Sequence, residues 1–198
     1  AAKRPKRGSH APGTFWYYNN WDFNAACTIF ENQTGSGIFE EFEKRLTGPL
    51  GMQDFIRKKH TRYVTGVDSV HPAYPFQLSA RDLARFGLLF ARGGRWGDRQ
   101  IVPHGWVIES TLPHSTTERG GGYGYMWWVA ANGKFYPNVT LPDCAFSANG
   151  SRGHKVLVIP QWDLVIVHRV NTFDGKGRVG SADFGKLVKL ILDARLKD

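Results

Sequence analysis

Residues 146–167 read FSANGSRGHKVLVIPQWDLVIV. Two apolar runs rich in β-branched residues, KVLVI and LVIV, flank the quartet Pro160-Gln161-Trp162-Asp163. Short runs of this kind, with a turn signal between them, predict two antiparallel strands joined as a hairpin. CAFSANG before them and YGYMWWVA further upstream predict more strands, with another turn at Asn132-Gly133.

On either side of this β-rich stretch the period is helical. Residues 183–196 place Phe184, Leu187, Val188, Ile191 and Leu192 on one face, which predicts a final helix. Upstream, Leu83, Phe86, Gly87 and Phe90 give a buried stripe that ends at Gly93-Gly94. Ser79 caps that helix, and Asp82 three residues later completes a pair like a capping box. Residues 105–112 predict a shorter helix behind Pro103.

Phe23, Ala26, Cys27 and Phe30 mark a helix over residues 23–33, capped by Asn19, Asn20 or Asp22, its entry stapled to the core by the aromatics before them, and stopped at Thr34-Gly35. A second follows with Ser36 as its cap, Ile38, Phe39, Phe42 and Leu46 inward, and Gly48-Pro49 as its stop. Residues 53–76 carry charge, proline and little periodicity, and predict a long surface loop, a candidate wall of a binding cleft. Helices, then antiparallel strands, then a helix make the fold class α+β, without the βαβ alternation of a nucleotide-binding sheet. Residues 1–119 form its mainly helical part and residues 120–198 its strands and last helix.

The 198 residues, 41% hydrophobic and 14% aromatic, suffice for a sizeable core. No stretch approaches the roughly 18 unbroken apolar residues of a membrane span. A net charge of +9 raises nucleic acid as a partner, but the dense basic run is KRPKR at residues 3–7 and the other cations are scattered among acids. No nucleic-acid partner is therefore expected. His10, His60, His71, His104, His114, His154 and His168 form no metal-ligand spacing, and ERGGGYGY at residues 118–125 lacks the Lys-Ser/Thr of a phosphate loop. No metal or cofactor is expected, and the glycines predict a flexible turn into the sheet. Cys27 stands at an apolar helical position, as a buried free thiol would, with a distant disulfide to Cys144 left open.

Five segments set the chemistry: PGTFWYYNN (12–20), FENQTGSGIFEEFEKRLTGPLGM (30–52), QLSARDLARFGLLFARGGRWGDRQIVP (77–103), GYGYMWW (122–128) and the opening stretch. In this order and with these gaps they resemble the serine β-lactamase-like superfamily, which holds class C β-lactamases, penicillin-binding D,D-peptidases, esterases and amide hydrolases. The resemblance covers nearly the whole chain. It implies acyl-enzyme chemistry from an SxxK serine, with a Tyr-x-Asn as second base and substrate amide and a basic-x-Gly segment on an edge strand.

By that resemblance Tyr18 is the second base and Asn20 the substrate amide, with Tyr17 the other candidate tyrosine. The third motif falls on Ala148-Asn149-Gly150, and the Ser151 N–H is one oxyanion donor. Ala148 stands where the lactamases and peptidases carry lysine or histidine; Arg152, His154 and Lys155 are the cations near enough to replace that charge. None of the nine serines has lysine three residues on. The resemblance therefore implies a nucleophile upstream of Ala1, on a segment of the parent chain or on a companion chain. The expected activity is hydrolysis of an ester or amide; the alternative is an inactive module that keeps the cleft for binding.

Overall fold

The computed structural model describes residues 5–195 apart from residues 68, 119, 134, 173, 174 and 176. Lys3 and Arg4 of the basic run and residue 196 at the end of the expected last helix lie outside the described residues. The chain forms two compact units, divided between Asp82 and Leu83.

In the first unit, α1 spans Asn20–Thr34. Asn19 is its N-cap: its backbone is extended and its Oδ1 accepts the Trp21 N–H at 3.0 Å. The helix ends where Gly35 takes the left-handed conformation. The helix α2, Ile38–Phe42, continues as a π-helical turn over Glu43–Thr47. Its expected cap, Ser36, does not serve. Gly37 occupies the N-cap position, and the Glu31 carboxylate of α1 accepts the Ile38 N–H at 2.9 Å. An acceptor from a neighbouring helix thus replaces the local side chain.

The expected loop over residues 53–76 holds regular structure instead. It contains a one-turn helix, α3 (Arg57–His60), and a hairpin of β1 (Val64–Gly66) and β2 (Ser69–Ala73). These strands are too short to show a period, and Pro72 lies within one of them. Tertiary contacts hold them: Asn24 Nδ2 of α1 donates to the His71 carbonyl at 3.3 Å, and the Trp21 and His71 rings meet edge-on at 5.1 Å. Around Phe76 gather Phe39 at 5.1 Å and Phe42 at 4.7 Å, with Tyr63 against Phe39 and Phe55 against Phe42. This aromatic cluster contributes by area burial and edge-to-face geometry.

Helix α4, Ala80–Ala91, begins as its sequence predicts, with Ser79 Oγ accepting the Asp82 N–H at 3.2 Å. The fully buried Asp82 carboxylate accepts the Gln53 N–H at 2.9 Å and the Asp54 N–H at 3.0 Å, tying the helix start to the turn after α2.

The second unit is built on a six-stranded antiparallel sheet. In chain order come a small hairpin of β3 (Arg95–Trp96) and β4 (Arg99–Gln100), helix α5 (His104–Thr111), and the sheet strands β5 (Ser115–Thr116), β6 (Gly122–Tyr123), β7 (Trp128–Val129), β8 (Phe146–Asn149), β9 (Lys155–Ile159) and β10 (Leu164–His168). Helix α6, Ser181–Asp193, closes it. The strands lie side by side in sequence order, so that neighbours in the chain are neighbours in the sheet, and among the described residues β10 is a free edge. The predicted hairpin is β9–β10, in register from Leu164↔Ile159 to His168↔Lys155, with Asp163 left-handed at φ 44° in the turn.

Strand β9 is buried on both faces, which explains its unbroken apolar run. Leu157 and Ile159 pack with Tyr136, Phe184 and Val188 under α6. Val156 and Val158 pack with Phe90, Val107, Trp127 and Phe146 under α4 and α5. YGYMWWVA is two strands, not one: a tight turn separates β6 from β7, with Gly124 N–H donating to the Trp127 carbonyl at 2.8 Å and Met126 at φ 66°. Nor is the glycine run there a matter of flexibility alone. A Cβ on Gly124 would overlap the Ser110 carbonyl, so glycine is what allows β6 to pass the end of α5.

Candidate functional site

Tyr18 and Asn20 belong to the first unit, on either side of the Asn19 cap. The cap takes in Asn19, whose Nδ2 also donates to Asp22 Oδ1 at 3.1 Å, and Tyr18, which stands at the N′ position against Phe23 as a hydrophobic staple. Asn20 is the first residue of α1, with its side chain exposed. Tyr18 is 41% exposed, and its ring stands edge-on to Phe23 at 5.5 Å and 6.3 Å from Trp16. Partial burial pushes the phenol above its usual range, so at neutral pH Tyr18 carries its proton. Tyr17, also exposed, lines a shallow hollow with the loop of residues 5–15 and Asp22.

Asn149, Gly150 and Ser151 belong to the second unit, at the end of β8. The expectation of an edge strand is corrected: β8 is interior, paired with β7 and with β9. Its two ladders differ in length. Pairing to β7 stops at Ser147↔Trp128, whereas pairing to β9 runs on through Ala148↔Val156 to Asn149↔Lys155. Ala148 and Asn149 therefore extend past the end of β7, which gives an interior strand a local edge.

Alternation along β8 sorts its side chains. Phe146 and Ala148 face the cluster under α4 and α5. Ser147 and Asn149 face the other way, where Tyr136 Oη lies 2.8 Å from Ser147 Oγ and 2.6 Å from Asn149 Oδ1, and Ser147 Oγ lies 3.1 Å from the same Oδ1. Lys155, 8% exposed, sets its Nζ 5.3 Å above the Tyr136 ring. Sequence reasoning missed Tyr136. It lies in an irregular segment between β7 and β8, beside Phe135, Val139 and Leu141 of the same core cluster, and only folding brings it to β8.

Beyond β8 the chain turns tightly. The Gly150 N–H donates to the His154 carbonyl at 2.8 Å, and a Cβ on Gly150 would press on His154 Cβ at 3.0 Å. The three candidates for a compensating charge differ in setting. Arg152, left-handed at φ 61°, donates through its guanidinium to the Gly175 carbonyl. His154 Nδ1 accepts the Val170 N–H at 3.2 Å, and burial, with Arg169 and His168 nearby, holds its pKa below the ordinary histidine value, keeping the ring neutral at pH 7. Lys155 is buried against Tyr136.

Among the described residues no group of three or more His, Cys, Asp or Glu side chains is placed to hold a metal, and no helix is long and apolar enough to cross a membrane. Cys27, buried, and Cys144, exposed, are both free thiols.

An antiparallel sheet with helices on both faces, in this element order, is the architecture of the serine hydrolases built on the β-lactamase fold. The chain belongs to the β-lactamase family, whose profile matches residues 4–188. An uncharacterized protein of Alkalihalophilus pseudofirmus is 25% identical over 179 residues, 81% of this chain and 53% of that protein. A Bacillus anthracis protein assigned as a 6-aminohexanoate-dimer hydrolase superposes with a TM-score of 0.67 at 22% identity, over 93% of this chain and 44% of its own. The octameric penicillin-binding protein homologue of Pyrococcus abyssi gives a TM-score of 0.62 at 16% identity, with the same coverages of 93% and 44%. The chain thus spans about half the length of these relatives.

Proposed function

We propose that this chain supplies the second base and the substrate-binding strand of a serine hydrolase that cleaves an ester or amide through an acyl-enzyme. The nucleophilic serine comes from a segment upstream of Ala1 or from a companion chain. In acylation the serine Oγ–H bond breaks as Oγ joins the acyl carbon, and the proton travels through Tyr18 to the departing alcohol or amine. By the family resemblance Asn20 has the role of the substrate amide, and in the second unit the Ser151 N–H that of an oxyanion donor. Family membership and the helix approach both support this reading. The observation that carries it is the family match over residues 4–188, which takes in Tyr18 and Asn20; Asn19 makes the helix cap and Tyr18 staples the helix start against Phe23, so the cap by itself leaves only Asn20 without a part.

The raised Tyr18 pKa favours one second reading. A phenol that keeps its proton is a hydrogen-bond donor, so without a cation from the rest of the protein Tyr18 binds an acyl ligand without assisting its cleavage. Two measurements separate these. Fluorophosphonate treatment followed by intact mass is expected to label the complete protein once and this chain alone not at all; stoichiometric labelling of the chain on one of its own serines would overturn the placement of the nucleophile. In the complete protein, Tyr18→Phe is expected to lower acylation by about 10²- to 10⁴-fold, the usual loss with a general base. Unchanged acylation would remove Tyr18 from the mechanism.

A further inference from the structure

We propose that Tyr136 and Ser147 are positioning residues for Asn149, fixing its carboxamide at the open end of β8. The proposal rests on the functional reading above, in which that strand end meets the substrate. Three oxygens, Tyr136 Oη, Ser147 Oγ and Asn149 Oδ1, lie within 2.6–3.1 Å of one another and share two hydroxyl protons. The carboxamide oxygen takes the acceptor place in this triangle. Its Nδ2 hydrogens are the group it then presents, on a residue that extends beyond the β7 ladder.

The frame around the triangle is rigid. Ser147 is fully buried and Tyr136 is 5% exposed. The Tyr136 ring is gripped by Phe184 at 5.0 Å and Phe135 at 4.5 Å, with the Lys155 ammonium over its face. Phenylalanine would fill the same space. A buried hydroxyl costs desolvation that phenylalanine avoids, and its hydrogen bonds to Ser147 and Asn149 offset that cost. Packing alone therefore does not account for tyrosine here, whereas holding an amide to the fraction of an ångström that a reacting centre requires does. Burial also pushes the phenol well above its usual range, so the proton remains in place throughout the working pH.

The test is a double-mutant cycle in the complete protein with p-nitrophenyl butyrate as substrate. Tyr136→Phe is expected to lower kcat/KM about ten-fold in the native background and less than two-fold in an Asn149→Ala background, since a residue acting through Asn149 loses its effect when Asn149 is gone. Ser147→Ala repeats the measurement with a smaller change. Equal factors in the two backgrounds, or no effect in either, would overturn the proposal. If the complete protein cleaves no ester or amide, the functional reading fails and the positioning claim is read by NMR. Tyr136→Phe should then shift the Asn149 side-chain NH₂ signals and speed their exchange, and unchanged signals would overturn it.

Discussion

Replacing Asp82 with alanine tests whether the start of α4 is held by a buried carboxylate or by the ion pair beside it. Asp82 is fully buried and accepts two backbone N–H groups, from Gln53 at 2.9 Å and Asp54 at 3.0 Å. Hydrogen bonds to a charged acceptor contribute about 1.5–3 kcal/mol each. Removing the acceptor strands both donors, although it also relieves the desolvation of a buried charge. The net expectation is a loss of about 3 kcal/mol, a large share of the 5–15 kcal/mol typical of a folded domain. Asparagine is no rescue: its oxygen can take one N–H, but its own NH₂ then faces the other. The Arg81–Asp54 ion pair next to it is solvent-exposed, so Arg81→Ala should shift stability far less. Urea midpoints at a common slope measure all three variants. A loss below about 1 kcal/mol for Asp82→Ala, or a larger effect from Arg81→Ala, would refute the assignment of this anchor to the carboxylate.

At Gly185 two effects oppose each other: alanine is favoured in a helix by about 1 kcal/mol, but its Cβ would overlap the Pro137 carbonyl oxygen. Overpacking of that kind costs about 1–3 kcal/mol, so Gly185→Ala is expected to lower Tm, and a raised Tm would show that α6 has room there. Alkaline pH should destabilise the fold. Burial pushes the Cys27 thiol up to about 11, and burial followed by the Glu31 hydrogen bond raises the Tyr63 phenol. The folded state then holds protons that the unfolded chain releases from about pH 9 upward. Stability is complete below that pH and falls above it, and Cys27→Ala should flatten the first part of the decline in urea midpoints; a flat profile to pH 11 in the native chain would contradict the raised values. The free edge of β10 carries Leu164, Val165, Ile166 and Val167 without a charge, an arrangement that invites a further strand. Hydrogen exchange of amides 164–168 is expected to be slower in the complete protein than in this chain alone, and equal rates would mean that nothing covers this edge.

What was legible in the sequence follows from where the forces are local. The β9–β10 hairpin announces itself because both faces of β9 are buried and a turn quartet follows. The α4 stripe and its Ser79 cap are equally local, and both stand in the structure. The hairpin at residues 64–73 was hidden because its strands are held by α1 and not by their own alternation. The turn inside YGYMWW was hidden because Gly124 is its one turn-forming residue and the residue with positive φ is Met126, at 66°, a type that carries no turn signal. At the candidate site, the expectation for Tyr18 and Asn20 rests on resemblance and not on period, since a polar residue before a helix serves a cap equally well. Tyr136 gave no signal at all: its partners are 11 and 13 residues away and meet it only across the folded sheet.

Ala148 bears on the proposed substrate class. Many lactamases and peptidases carry a lysine or histidine at this place, and its loss looks at first like a missing charge. The alternation along β8 gives a physical reason for alanine: Ala148 lies on the face of Phe146, packed against the cluster that contains Phe90 and Val156, where a cation would have to leave an apolar surface to find solvent. The polar face of the same strand, Ser147 and Asn149, is uncharged, His154 is held neutral, and Lys155 is buried behind Tyr136. We infer that the strand end recognises its ligand by directed hydrogen bonds from an amide and a backbone N–H more than by pairing with a carboxylate. A neutral ester or amide fits that chemistry better than an acid-bearing lactam, because the two cations nearest the strand end are already engaged, the Arg152 guanidinium with the Gly175 carbonyl and the Lys155 ammonium over the Tyr136 ring.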